Sequence, residues 1–215
     1  MSAASDIQST QADRKIEIRS LGKRDYEPLW REMQDFTNSR DGSTNDEIWF
    51  TEHPPVFTLG LNASREHLLT PGDIPTVQID RGGQVTYHGP GQLMIYPMID
   101  LKRARLGIRD LVTALELSVV DLAAEYGIEA QPRKDAPGVY VDGKKIASVG
   151  LRVRRWSSYH GMALNVDMDL EPFNRINTCG YTDLEVTDLK TLGVNKDLSA
   201  VRKDLEPQLL RHLGI

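Results

Sequence analysis

Apolar positions recur along this chain in two rhythms, one helical and one alternating. Leu29, Trp30, Met33 and Phe36 fall at helical spacing, so a helix is predicted from Tyr26 to Ser39, ended by Asp41, Gly42 and Ser43. The strongest helical stripe is Leu111, Leu115, Val119, Leu122 and Ala123, which predicts a helix over Arg109–Tyr126 with Gly127 as its stop. A third amphipathic stretch, Ser199–Leu213, carries Val201, Leu205, Leu209, Leu210 and Leu213. Strand-like runs occupy Lys15–Arg19, Ile48–Thr51, Thr76–Ile79, Val85–Tyr87 and Leu93–Tyr96. His53, Pro54 and Pro55 break the pattern after the second of these, and Leu61–Pro75 reads as a loop with one short helical turn. Gly138–Val141 and Lys144–Gly150 flank Asp142 and Gly143, a pair that favours a type I′ hairpin turn. The second arm continues through Leu151–Arg154, and a further strand is expected at Gly161–Val166.

Strands dominate the middle, with one long internal helix and one terminal helix. That order predicts an α/β domain of the α+β kind, built on a mixed sheet, and not regular βαβ alternation. Residues 1–14 are polar and aperiodic, so a flexible tail is expected ahead of a single domain at 15–215. With 215 residues, 40% hydrophobic and 27% charged, the chain can bury a full core and is not globally disordered. No apolar run approaches the roughly 18 residues of a membrane helix. The N-terminus lacks the apolar stretch of a signal peptide, so a soluble cytoplasmic protein is expected. A single cysteine, Cys179, excludes an internal disulfide and multi-cysteine zinc or iron–sulfur sites.

The net charge of -5 is unevenly spread: residues 102–155 carry eleven Lys or Arg against seven Asp or Glu, leaving +4 there and -9 elsewhere. The cations cluster at Lys102–Arg105, at Arg133 and Lys134, and at Arg152–Arg155. Such a patch either steers an acidic partner or forms a solvated face.

Chemistry concentrates in three places. Arg81-Gly82-Gly83-Gln84-Val85-Thr86-Tyr87-His88 continues into Gly89, Pro90, Gly91 and Gln92, so the backbone there bends sharply or something approaches it closely. It matches neither a phosphate loop nor a dinucleotide fingerprint. Two readings stand: Arg81 and His88 hold a polar group beside exposed N–H groups, or the segment is a pair of turns around a core histidine. Cys179 lies in a polar, turn-like stretch, unlike the apolar surroundings of an inert cysteine, and is either a nucleophile or structural. Lys144 and Lys145 follow the hairpin turn. Alternation puts Lys145 on one side with Ala147 and Val149, and Lys144 on the other with Ile146 and Ser148. One lysine is then half-buried and suited to catalysis, or both guard an exposed edge strand. The five histidines show no metal-ligand spacing, so no metal is expected; His160 lines a pocket or is a satisfied structural histidine.

The segment Arg81–Gln92, followed by Tyr96 and Pro97, resembles the signature of the lipoate-protein ligase B family, the octanoyl (lipoyl) transferases. Ala136–Tyr140, Lys144–Gly150, His160–Asn165 and Asn177–Gly180 agree in order. The resemblance runs from about residue 16 to the C-terminus. It implies a core akin to those of lipoate and biotin ligases. It implies transfer of octanoate from octanoyl-acyl carrier protein to a lysine of lipoyl domains and glycine-cleavage H-type proteins, the first step of endogenous protein lipoylation. It further implies that Cys179 carries the acyl group as a thioester and that Lys145 lowers the thiol pKa and handles protons. Acyl-binding segments map onto Arg81, Gly82, Gly83, Gln84, Val85, Thr86, Tyr87 and His88, onto Ser148, Val149 and Gly150, and onto Gly161, Met162 and Ala163. Thr178 departs from the proline found in many members, and position 148 varies among them. Acyl exchange between thiols is close to energetically neutral, so no ATP and no other cofactor are expected. A monomer is expected, with neither nucleic acid nor membrane as partner. An ATP-dependent lipoate ligase and a non-catalytic acyl-carrier-binding module are the alternatives.

Overall fold

A computed structural model describes residues 15–182 and 184–215, and of Cys179 the backbone alone; the expected tail, 1–14, lies outside the described residues. The chain runs β1 (Ile16–Lys23), α1 (Tyr26–Ser39), β2 (Asp46–Glu52), β3 (Val56–Leu59), β4 (Thr76–Gln78), β5 (Val85–His88) and β6 (Gln92–Met98). It continues through α2 (Leu101–Ala104), α3 (Ile108–Glu125), β7 (Gln131–Pro132), β8 (Gly138–Val141), β9 (Lys144–Arg154), β10 (Ser157–Asn165) and α4 (Leu198–His212). Short 3-10 turns stand at Arg65–His67, Glu171–Arg175 and Thr178–Gly180.

Seven strands form one sheet in the order β1-β2-β6-β10-β9-β8-β7, antiparallel except for β1 against β2. Three more, β4-β3-β5, form a small second sheet. Along β6, Leu93 and Ile95 enter the core beneath α3 and α4, while Met94, Tyr96 and Met98 pack toward α1 with Leu29, Trp30 and Met33. Both faces of the central strand are thus covered, which is why Leu93–Tyr96 reads as an unbroken apolar run. Asp100, Asp110 and Asp197 supply the helix starts: each carboxylate accepts a backbone N–H, of Arg103, Gly107 and Ala200 respectively, at 2.7–2.9 Å. The structure is the mixed α/β core that the pattern predicts.

The predicted helices fall at α1, α3 and α4, and the hairpin turn has the left-handed backbone expected of it, with Asp142 at φ 49° and Gly143 at φ 80°. Strand β3 and helix α2 carry no sequence signal of their own. β3 is four residues directly after two prolines, and α2 is a single turn stopped by left-handed Arg105 at φ 54°. One expectation is corrected. Lys145 does not share a face with Ala147. The β8–β9 ladder pairs Val139 with Ala147 but Tyr140 with Lys145, so Ile146 is an extra, bulged residue. Directly opposed residues share a face and successive ones do not, which turns Lys145 to the side of Tyr140 while Ala147 and Val139 stay in the helix-covered core. The edge-strand reading also falls, since β9 lies between β8 and β10.

Leu205 of α4 is fully buried in the core that α4 shares with α3. Leu205→Ala is expected to lower unfolding free energy by about 2–5 kcal/mol in a denaturant titration; a loss below about 1 kcal/mol would contradict this packing.

Candidate active site

A narrow pocket opens between the small sheet and the centre of the large one. Its walls come from Gly83–Thr86 with Arg81 and His88, from Ser148–Gly150 of β9 and from His160–Ala163 of β10. Tyr26, Met94 and Tyr96 complete it. The strands can approach closely here because Gly161 lacks a side chain: a Cβ at that position would sit 1.9 Å from the Ile95 carbonyl oxygen. The lining is mostly apolar, with a few polar groups converging on it, the usual character of a site for an apolar ligand with one reactive end.

Behind the wall runs a buried chain of hydrogen bonds. Arg81 donates from one guanidinium nitrogen to the Thr58 carbonyl at 2.8 Å and to Thr58 Oγ1 at 2.9 Å. Thr58 Oγ1 lies 3.2 Å from His88 Nε2, and His88 Nδ1 lies 2.8 Å from Gln92 Oε1. Gln92 Nε2 donates to Asn165 Oδ1 at 2.9 Å, and Asn165 Nδ2 donates to the Thr187 carbonyl at 2.9 Å. The Thr187 N–H then donates to the carbonyl of Lys145 at 3.0 Å. Burial holds the His88 imidazole well below its ordinary pKa, and the neighbouring His53 adds to this, so His88 is neutral and relays hydrogen bonds without carrying charge.

A second network closes the far end. The left-handed backbone of His160, φ 56°, turns its ring to the face that carries Tyr159, and the two rings stack. His160 Nε2 lies 2.8 Å from Asp80 Oδ1, which also accepts from Trp30 Nε1 at 2.8 Å; Tyr159 donates to the other Asp80 oxygen. Burial lowers the His160 pKa despite this carboxylate, so the contact is a hydrogen bond from a neutral ring and not an ion pair. Burial alone would raise Asp80, but the bonds from His160 and Tyr159 outweigh it and hold the carboxyl well below its usual range. His53 joins Tyr96 at 2.7 Å and the Arg24 carbonyl at 2.6 Å, and burial depresses its pKa to about 4.

Lys145 is 1% exposed, with its ammonium nitrogen 5.3 Å from the centre of the Tyr140 ring. Its N–H donates to the Glu185 carbonyl at 2.8 Å, so the strand segment carrying Lys145 is stitched to 185–187 on both sides. Gly138 faces it: a Cβ there would lie 2.8 Å from Lys145 Cε and 2.3 Å from the Ala147 carbonyl oxygen, and Gly138 has φ 138°. The Gly138 N–H donates to the buried carboxylate of Glu116 at 2.7 Å. Burial raises the Glu116 pKa, opposed by that N–H and by the charge of Lys145. Lys144 is exposed and pairs with Glu185 at 2.6 Å. The backbone of the Thr178–Gly180 turn is held by Asn177 N–H donating to the His67 carbonyl at 2.8 Å. Gly180 lies against Gln84, a pocket residue, which puts this turn at the rim. The side chain of Cys179 lies outside the described residues.

Of the fourteen acyl-binding residues expected from sequence, the structure gathers twelve around this pocket. Gly82 is instead occupied in donating its N–H to the Leu151 carbonyl, and Tyr87 points to the other side of β5, against Phe57 and Phe173. Tyr26, Met94, Tyr96 and, as a wall, His160 complete the lining. Tyr26 starts a helix and Met94 sits in a strand-like run, so neither carried a signal of its own, whereas His160 was a candidate pocket residue. Among the described residues no group of His, Cys, Asp or Glu could hold a metal ion. No helix among them is long and apolar enough to cross a membrane.

The fold is a mixed-sheet α/β core with a narrow, mostly apolar pocket, and the strand β9 that lines this pocket also carries the buried Lys145. The chain belongs to the lipoyl protein ligase A/B catalytic domain family, whose model matches residues 25–210. It is 58% identical over 199 residues to an octanoyltransferase of Nitrosococcus oceani, covering 93% of this chain and 89% of that relative. The fold resembles a bipartite lipoate protein ligase of Thermoplasma acidophilum, with a TM-score of 0.74, 17% identity and coverage of 93% and 84% of the two chains. It also resembles the biotin protein ligase of Aquifex aeolicus, at 0.59, 15%, 92% and 70%.

Three depressed histidines make stability pH-dependent. As pH falls from about 6.5 to about 4, the unfolded chain takes up a proton that buried His53 refuses, so stability drops by about 3 kcal/mol from His53 alone. His88 and His160 act in the same direction, and Asp80 adds its loss only below about pH 4. Urea midpoints are expected to fall steadily between pH 7 and 5, and less steeply in His53→Gln; a flat wild-type profile would contradict neutral burial.

Proposed function

We propose that this octanoyltransferase takes its acyl group from octanoyl-acyl carrier protein, holds it as a thioester on Cys179, and passes it to a lysine of a lipoyl domain or H-type protein. The observation that carries the reading is 58% identity over 93% of the chain to an octanoyltransferase. The mostly apolar lining of the pocket, with the turn that carries Cys179 packed against its residue Gln84, supports it.

In the first half-reaction the Cys179 thiolate attacks the thioester carbon. A new C–S bond forms, the carrier's C–S bond breaks, and the departing thiolate takes a proton from the Lys145 ammonium. In the second, the neutral amine of the acceptor lysine attacks the acyl-enzyme. The amide bond forms, Cys179 leaves as thiolate, and the Lys145 amine accepts the proton that the acceptor nitrogen loses. Both residues return to their starting states, and no ATP is consumed. Two successive transfers predict ping-pong kinetics. Gly83 and Gln84 line the pocket, and their backbone N–H groups would be the donors that favour the developing oxyanion.

Intact-mass analysis after mixing with octanoyl-acyl carrier protein tests this. The expected result is an octanoyl-sized, hydroxylamine-sensitive gain, absent in Cys179→Ser and formed more slowly in Lys145→Ala. Acceptor octanoylation that appears only with free octanoate and ATP would replace the reading with that of a ligase.

A further inference from the structure

Five of the basic residues that the fold leaves exposed stand together. Among the described residues, Lys102, Arg105, Arg152, Arg154 and Arg155 are exposed and none lies within ion-pair distance of a carboxylate. All five stand at one end of the large sheet. The β9–β10 hairpin ends there, and the N–H of Leu101, which opens α2, donates to the Trp156 carbonyl at 2.8 Å, seating Lys102 beside the hairpin tip. Two carboxylates at this end are already engaged. Asp46 is buried and pairs with Arg40 and Arg103 at 2.6 and 2.7 Å, and Asp100 caps α2. A surplus of positive charge therefore faces solvent.

The tip also holds an aromatic residue out at a conformational cost. Arg155 and Trp156 take φ of 50° and 65°, two consecutive left-handed residues without a glycine, and Trp156 is 61% exposed. Left-handed backbone is unfavourable for a non-glycine residue, and an exposed tryptophan contributes nothing to the core in return. Exposed tryptophan ringed by arginine is the composition of a protein-docking hot spot.

Position relative to the pocket selects the partner. Ser148, Gly150, Arg152 and Arg154 alternate along β9 and so share the pocket face. From Gly150 to Arg154 the strand advances about 13 Å, at about 3.3 Å per residue. That exceeds the reach of an acceptor's lysine side chain but suits a donor that presents its acyl group on a long thioester arm. We infer that the β9–β10 hairpin tip, with Arg154, Arg155, Trp156 and the adjoining Lys102, is the docking surface for the acidic carrier protein that donates the acyl group. This rests on the carrier-dependent transfer proposed above. The cations would speed encounter and Trp156 would anchor the complex.

The test compares two donors, octanoyl-acyl carrier protein and octanoyl-coenzyme A, in the wild type, in Arg154→Glu/Arg155→Glu and in Trp156→Ala. The expected result is a fall of about ten-fold or more in kcat/KM for the carrier donor in the double variant. Little change is expected with octanoyl-coenzyme A, and a flatter dependence on salt with the carrier. Trp156→Ala, which leaves the charge intact, should raise KM for the carrier and keep the salt dependence. Equal losses with both donors, or unchanged carrier kinetics, would overturn the assignment. A shift confined to KM for the acceptor domain would overturn it in favour of acceptor docking. A wild type that transfers octanoate from neither donor would refute the underlying function, and the docking surface with it.

Discussion

The site depends on a buried line of hydrogen bonds that crosses both sheets, from Arg81 through Thr58, His88, Gln92 and Asn165 to Thr187 and the backbone of Lys145. Every member is buried, and in low-dielectric surroundings such bonds are strong when complete and costly when one is missing. The line fixes the glycine-rich wall of the pocket relative to the strand that carries the lysine. Two parts of the site, more than fifty residues apart in sequence, are thereby held as one piece.

Local distortions aim the side chains that this frame supports. The bulge at Ile146 frees Lys145 from the core face, and Gly138 leaves room for its methylenes. Glu116 satisfies the Gly138 N–H and adds a carboxylate to the lysine's surroundings. The kink at His160 brings a second imidazole to the pocket and ties it to Asp80, Trp30 and Tyr159. The bulge and the kink both fall where the proposed chemistry occurs.

Much of this was legible in the sequence, and what was not has a physical reason. Helices α1, α3 and α4 announced themselves because each buries one stripe and exposes the other. The glycines singled out the 81–92 segment, but that it and the segments at 148–150 and 161–163 bind one acyl group was implied only by the family resemblance. Strand β3 was silent because four buried residues show no period. The orientation of Lys145 was misjudged because alternation assumes an unbroken ladder, and a bulge leaves no mark in a run such as Lys-Lys-Ile-Ala-Ser. Tyr26 and Met94 carried no signal of a site, since they belong to the core and this pocket is a gap in it. The family resemblance supplied the acyl chain and the acceptor, which no pattern of periodicity or charge contains.

The central proposal is that the buried Lys145 activates the thiol of Cys179. The rate of Cys179 alkylation by iodoacetamide as a function of pH tests it most directly, in the wild type and in Lys145→Met, with unfolding midpoints confirming that both are folded. Since the thiolate is the reacting species, the wild-type profile is expected to rise at lower pH than that of the variant. Superimposable profiles would contradict the account.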